Sequence, residues 1–370
     1  MIAVTHAYSR ANAGDGLLID LTLKRLHRAG IDPAEIVVLA MDPASLTDLT
    51  NVVGLGTATR AFDRATLRAA RNAVGLAFNP VTRRVFPGRP AAVLERADAF
   101  VAVGGGYLRA GSYVNAIGTT LNHLPPLLAA ARSDAPSVYL PQSVGPLRGP
   151  VGEMVRRLLA RTSAVHLRDD RSSTELADKN VRRTPDLAVL ELAETLSDVP
   201  VHEKLHGSPM IVARALPRAQ SYPERLRRLA SGLGAVTWGV QTEGSADKSD
   251  RTFYRDMGFT AGGLVRDVLA GNTGPVISVR LHGALQALLA GVPAIHLGYE
   301  RKSWGAFQDL GLERFVHSAR SFDPARVIEQ VIALRRDASG YWSSLTEAAP
   351  RLAERSSGLD DSLRALIGTS

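Results

Sequence analysis

The chain has 370 residues, 45% of them hydrophobic, which exceeds the usual single-domain range and is ample for two ordinary cores. It contains no cysteine, which excludes disulfides, thiolate metal sites and a cysteine nucleophile. Lys and Arg outnumber Asp and Glu by 44 to 36, a formal net charge of +8; this favours anionic partners such as phosphorylated substrates or an acidic membrane surface, but the basic residues are scattered and no nucleic acid is expected.

No stretch approaches the ~20 apolar residues that span a bilayer. The N-terminus, MIAVTHAYSR, reads as the start of a strand and not as a signal peptide, because no basic segment precedes a longer apolar run. These features predict a cytoplasmic protein, with salt-sensitive peripheral contact at the inner face of an acidic membrane.

In chain order, residues 2–6 read as a strand and NAGDG at 12–16 as a tight turn. Leu17, Leu18, Leu21 and Leu26 then repeat at helical spacing up to Gly30. This opening resembles the first unit of a nucleotide-type fold, although GxGxxG is absent. Asn12 and Asp15 are candidate ligand contacts there; the same residues serve equally as an Asx turn and helix cap. Residues 36–40 form the next predicted strand. A helical pattern at 67–76 leads into FNPVTRRVFPGRP at 78–90, read as an irregular surface segment. Residues 99–103 form a buried strand, followed by Gly104, Gly105 and Gly106, which let the backbone approach a ligand or a packed helix closely. A strand at 138–141 leads into a polar loop with Gln142 and Ser143. Another, at 165–167, ends in Arg168, and Ser172 or Ser173 is placed to cap the helix beyond.

Residues 192–208 are polar and weakly periodic and read as a linker. A strand at 210–213 ends at Arg214, and 235–240 is the next strand. QTEGSADKSD at 241–250 reads as a flexible polar loop. The segment PVISVRLHGALQALLAGVPAIHLGYERKSW, residues 275–304, is a strand, a helix and a second strand, the βαβ unit of a parallel sheet. Arg280, Leu281 and His282 follow its first strand; Tyr299 and Lys302 follow its second. Ligands of open parallel sheets bind at that edge, and the N-terminus of the helix favours an anion. The alternative is a buried βαβ unit with solvated charges at its mouth. A helix over 327–334 and an amphipathic helical tail over 341–367 complete the chain. Strands alternate with helices, so the class is α/β: two Rossmann-like parallel-sheet domains, residues 1–192 and 209–340, facing a cleft, with a helical tail at 341–370.

An ordered set of blocks adds to this: N-x-G-D at 12–15, VGGG at 103–106, LPQSVGP at 140–146, LRDxxS at 167–172, TPDLA at 184–188 and SVRLHxxxxALxxGVPAIxLxY at 278–299. Together they resemble the polysaccharide pyruvyl transferases. The resemblance implies a fold like the type B glycosyltransferases, phosphoenolpyruvate as donor substrate with no further cofactor, and a sugar acceptor. The product implied is a pyruvate ketal on a surface polysaccharide or its lipid-linked precursor. The first domain would be the acceptor side and the second the donor side. Arg168, His282 and Lys302 fall where the family places functional residues.

Phosphoenolpyruvate carries a carboxylate and a phosphate on one carbon, so its binding calls for cations in fixed geometry, best supplied by bidentate Arg. Arg280, Arg168 and Arg214 are the candidates, with Leu281 and Tyr299 beside them. Ketal formation needs a general acid and a general base, the roles expected of His282 and Lys302. No metal is required, and no His, Asp or Glu cluster has ligand spacing. Two other readings stand beside this one. The first is a type B glycosyltransferase using a nucleotide sugar, though only Gln286 stands where such enzymes carry a ribose-binding carboxylate. The second is a non-catalytic glycan-binding protein of the same fold.

Overall fold

Short runs of Val, Ile, Leu and Ala, broken by glycine, proline or charge, give strands that pair only in parallel with their sheet neighbours. The computed structural model describes residues 1–55, 88–201, 205–217, 219–243, 249–299, 301–366 and 368, and only the backbone of 301–303. The expected helical pattern at 67–76 and nearly all of the segment at 78–90 lie outside the described residues.

The chain divides into two compact units. The first comprises Met1–Ser9, Leu18–Leu187 and Ser357–Ser370; the second comprises Arg10–Leu17 and Ala188–Ser356. Each unit therefore takes a segment from the other end of the chain. A division read in sequence order alone, at 192, 209 and 340, contains no signal for such exchanges.

The first unit holds a seven-stranded sheet. Its strands are β1 (Ile2–Ala7), β2 (Ile36–Ala40), β3 (Val52–Gly54), β4 (Ala99–Ala102), β5 (Ser137–Gln142), β6 (Ala164–Leu167) and β7 (Val181–Arg183), in the order β3-β2-β1-β4-β5-β6-β7. Ile2 pairs with Ile36 on one side and Ala99 on the other. β1, β4, β5 and β6 are buried along their whole length, which is why they read as continuous apolar runs rather than alternating ones. The second unit holds β8 (Met210–Val212), β9 (Thr237–Trp238), β10 (Val276–Ser278), β11 (Ala294–Gly298) and β12 (Val316–Ser318), in the order β12-β11-β10-β8-β9. The strand order reverses between β1 and β4 in the first sheet and between β8 and β10 in the second. Those are the switch points at whose carboxyl edge parallel sheets bind ligands.

Three expectations need correction. The helix Asp170–Glu175 is capped by Asp169, whose carboxylate accepts the Ser172 N–H at 2.9 Å, and not by Ser172 or Ser173. The stretch expected to open the linker is the end of the helix Leu187–Thr195. Leu187, Ala188, Val189, Leu190 and Leu192 are fully buried and Glu191 is buried among them, so the helix shows no clear amphipathic period. The strand expected at 235–240 shortens to β9, because Val240 leaves the sheet neighbour and pairs with Leu264. The tail is a single helix, Ser339–Arg364. Among the described residues no helix is long and apolar enough to cross a membrane.

Candidate active site

In the second unit, β10 ends one residue short of Val279, and Arg280 becomes the N-cap of the helix Leu281–Leu289. Ser278 shapes the corner: its hydroxyl donates to the Arg280 carbonyl at 2.6 Å and accepts the Arg280 N–H at 3.2 Å. Arg280 Nη2 donates to Asp250 Oδ1 at 2.5 Å. The second oxygen of Asp250 accepts the N–H groups of Gln241 and Thr242 at 3.0 and 2.9 Å. One buried carboxylate thus fixes both the arginine and the loop after β9. Arg280 Nε is buried and has no partner among the described residues.

That loop in turn pins the N-terminal turn. Asn12 and Thr242 form an antiparallel bridge, Ala13 N–H donates to the Gln241 carbonyl at 2.9 Å, and Gln286 Nε2 donates to the Ala13 carbonyl at 3.2 Å. Gln286 therefore serves the turn. Gly14 packs onto the first turn of the helix: a Cβ there would stand 2.8 Å from His282 Nδ1 and 2.9 Å from Gln241 Nε2. Only glycine lets the turn lie this close. Asn12 Nδ2 donates to Asp15 Oδ2 at 2.9 Å, and Asn12 Oδ1 accepts the Gly14 N–H at 3.1 Å, so both side chains shape the turn.

His282 is half-buried in the first turn of the helix, and Leu281 is buried beside it. His296 of β11 stands next to Ser278 in register and meets its carbonyl through Nδ1 at 2.7 Å. Burial lowers the His296 pKa to about 4, and His282 nearby pushes it the same way. Arg214, two residues after β8, reaches Tyr299 Oη at 3.5 Å with its guanidinium 5.8 Å from the ring centroid. Lys302 lies in the first turn of the helix Arg301–Asp309, and its side chain is outside the described residues.

The first unit gathers the other sequence-predicted residues. Arg168 is buried, with Nη1 donating to Asp186 Oδ2 at 2.5 Å and Nε to Ser143 Oγ at 3.0 Å. Gln142, the last residue of β5, is fully buried, and neither amide atom has a partner among the described residues. A Cβ at Gly104 would stand 2.5 Å from the Pro141 carbonyl, so this glycine serves the close packing of β4 on β5. Gly105 bridges Gln142 and, through its carbonyl, accepts the Ser143 N–H at 2.8 Å; Gly106 is half-buried beside it.

Asp250 and Gln241 were not singled out from the sequence. Both fall in the stretch read as a flexible loop, yet both are buried, and Asp250 is the first residue of the helix Asp250–Asp256. The pair Ser249-Asp250 ahead of a helical run was the available signal. A cavity of ≈ 710 Å³ lies at the opposite, amino edge of the first sheet, lined in part by Glu35, Asp98 and Asp134. Its carboxylates do not suit an anionic donor. Among the described residues no group of three or more His, Asp or Glu is placed to hold a metal ion.

The two all-parallel α/β units have the architecture of the type B glycosyltransferases. The fold is similar to that of a UDP-GlcNAc 2-epimerase from Methanocaldococcus jannaschii, at a TM-score of 0.51 and 12% identity over 90% of this chain and 92% of that one. It is also similar to a UGT transferase from Siraitia grosvenorii solved with UDP, at 0.50 and 12% over 99% and 100%. A UDP-N-acetylglucosamine 2-epimerase from Rickettsia bellii matches at 0.50 and 9% over 100% and 98%. At such identities the likeness shows the fold alone. The sequence profile of the polysaccharide pyruvyl transferases matches residues 12–233, and the chain belongs to that family. No curated protein matches it in sequence.

Proposed function

We propose that the protein transfers the pyruvyl group of phosphoenolpyruvate to a sugar of a surface polysaccharide, or of its lipid-linked precursor, as a ketal. Family membership supports pyruvyl transfer. The observation that carries the donor assignment is the second sheet's switch point, where Arg280 is held by Asp250 beside His282 at a helix N-terminus. Arg280, with Arg214 further along the same edge, supplies guanidinium groups for the carboxylate and phosphate.

A proton is added to the methylene carbon, which leaves C2 electrophilic. One sugar hydroxyl attacks C2 and loses its proton, the C2–O bond to phosphate breaks, and a second hydroxyl closes the ketal as it too is deprotonated. Of the two hydroxyl protons, one replaces that spent on the methyl group and the other leaves with phosphate. His282 is the proton carrier in this scheme, and Lys302 is the second acid or the phosphate anchor. The positive net charge suits peripheral contact with an acidic membrane carrying the lipid-linked acceptor.

The test is phosphate release from phosphoenolpyruvate by the purified protein, with and without methyl hexosides, followed by mass spectrometry of the glycosides. Glycoside-dependent phosphate release with an acid-labile ketal product is expected. Consumption of UDP-sugars with no phosphate released from phosphoenolpyruvate would replace this reading with glycosyl transfer.

A further inference from the structure

The N-x-G-D turn has no task in the donor chemistry. Residues 10–17 group with the second unit, although the chain on either side of them belongs to the first. The turn is fastened along one strip of that unit. The Ala11 carbonyl accepts the Glu243 N–H at 3.0 Å, and Ala13 N–H donates to the Gln241 carbonyl at 2.9 Å, so the turn is laced to the loop after β9. Asp250 anchors that loop in turn, through the N–H groups of Gln241 and Thr242. Gln286 Nε2 donates to the Ala13 carbonyl at 3.2 Å. It stands one helical turn beyond His282, on the same face of the helix Leu281–Leu289.

That strip brings Gly14 onto His282. A Cβ at Gly14 would meet His282 Nδ1 at 2.8 Å, Gln241 Nε2 at 2.9 Å and His282 Cβ at 3.0 Å. The side chains of His282 and Gln241 thus lie side by side against the turn. Gly283 gives room on the other side of the Gln241 amide, for a Cβ there would stand 2.5 Å from Gln241 Oε1.

The backbone does not call for glycine at position 14. Gly14 lies in the first turn of the helix Ala13–Arg28 and is not among the glycines of positive φ, so alanine would suit its conformation and favour the helix. What alanine lacks is room. The Nδ1 edge of the imidazole can turn away, but His282 Cβ moves only with its own backbone, so relief comes from turning the ring or lifting the turn. Gly16 is the contrast: the nearest atoms to a Cβ there would belong to Arg10, from 3.0 Å outwards.

We propose that Gly14 is a positioning residue for His282: the N-terminal turn, laid against the start of the helix, sets where the imidazole stands. The inference rests on His282 being the proton carrier, as proposed above, and adds that its placement needs a segment from the other end of the chain. Arg280 is held by Ser278 and Asp250. Disturbing the turn at Gly14 therefore displaces the proton carrier and leaves the cation for the donor in place.

The test compares Gly14→Ala with Gly16→Ala in the full chain. Histidine is ring-15N-labelled, the His282 signals are assigned with His282→Gln, and phosphate release from phosphoenolpyruvate is followed with a methyl hexoside as acceptor. Gly14→Ala should move the His282 signals and lower kcat about 10–100-fold, with KM for phosphoenolpyruvate changed less than about twofold. Gly16→Ala should match the wild type in all three. His282 signals unmoved in Gly14→Ala would overturn the proposal, as would equal changes in both variants, which would mean that any loosening of the turn has the same effect. If Gly14→Ala does not fold, Gln286→Met decides: it loses the bond to the Ala13 carbonyl, and His282 signals like those of the wild type would overturn the proposal. His282→Ala separates the two readings. If it is inactive, moved signals with unchanged kcat in Gly14→Ala overturn the positioning role alone. If it keeps wild-type turnover, the proton-carrier assignment fails, and the His282 signals alone decide whether the turn places the ring.

Discussion

Each unit closes an arginine onto an aspartate beyond the carboxyl ends of its strands, and both pairs have the same 2.5 Å separation. Their surroundings differ. Arg168 and Asp186 are 4% and 1% exposed, and Ser143 takes the Arg168 Nε–H. Arg280 is 11% exposed, its Nε has no partner among the described residues, and Asp250 spends its second oxygen on two loop N–H groups. An ion pair at a sheet edge therefore does not by itself mark a ligand site. The two arginines differ at Nε: Ser143 takes that donor of Arg168, while that of Arg280 has no partner among the described residues. The proposed donor site would use that difference.

The largest expected effect tests the second unit's side of this contrast. His282→Ala should lower kcat by about 10²–10⁴-fold with an unchanged circular dichroism spectrum. Lys302→Ala should do likewise, and the double variant should be little worse than the poorer single one, because groups acting together are not additive. Near-wild-type turnover in both would send the search for proton carriers elsewhere.

Next comes the first unit's pair, Arg168 with Asp186. Asp186→Ala leaves the Arg168 charge buried and uncompensated, which should cost about 3–5 kcal/mol in urea unfolding. A stable Asp186→Ala protein that had lost donor affinity would invert the comparison.

Arg280→Lys sharpens the contrast from the other side. It keeps the charge and loses the planar fork, so donor affinity should fall by ~1.5–3 kcal/mol. Unchanged KM and kcat would give Arg280 a structural role.

The smallest effect is shared by both units, each of which buries neutral imidazoles. The pKa values of His123 and His296 are lowered to about 3 and about 4. Above pH ~6.5 neither the folded nor the unfolded chain protonates these rings, so they give no pH dependence. Below it the unfolded chain takes up protons that the folded protein refuses, and stability falls until the folded values are reached. Each ring should cost on the order of 1–2 kcal/mol between pH 6.5 and 5. His123→Gln and His296→Gln should each flatten the fall measured by urea titration; a slope unchanged in both would mean the rings are not buried neutral in solution.

The contrast also explains what could be read beforehand. Local patterns carried the buried strands, the N-x-G-D turn and the Arg280–His282 corner, because each is a few adjacent residues with a periodicity or a glycine that has one structural use. Three-residue strands such as β3, β7 and β12 are too short to show a period. Asp250 was hidden by polar neighbours, and its partner Arg280 lies 30 positions away. His6 and His123 meet from 117 positions apart, and nothing near either announces the other. The grouping of residues 10–17 with the second unit is likewise a tertiary fact: Gly14 meets His282 only after both segments have folded.

The proposed binding of phosphoenolpyruvate at the second sheet's edge runs through Arg280. Its most direct test is calorimetric titration of the wild-type protein and of Arg280→Lys with phosphoenolpyruvate, and with a UDP-sugar in parallel. The wild type should bind phosphoenolpyruvate and the variant should bind it at least about tenfold more weakly, with no comparable UDP-sugar binding. UDP-sugar binding without phosphoenolpyruvate binding, or equal affinity for phosphoenolpyruvate in both proteins, would contradict it.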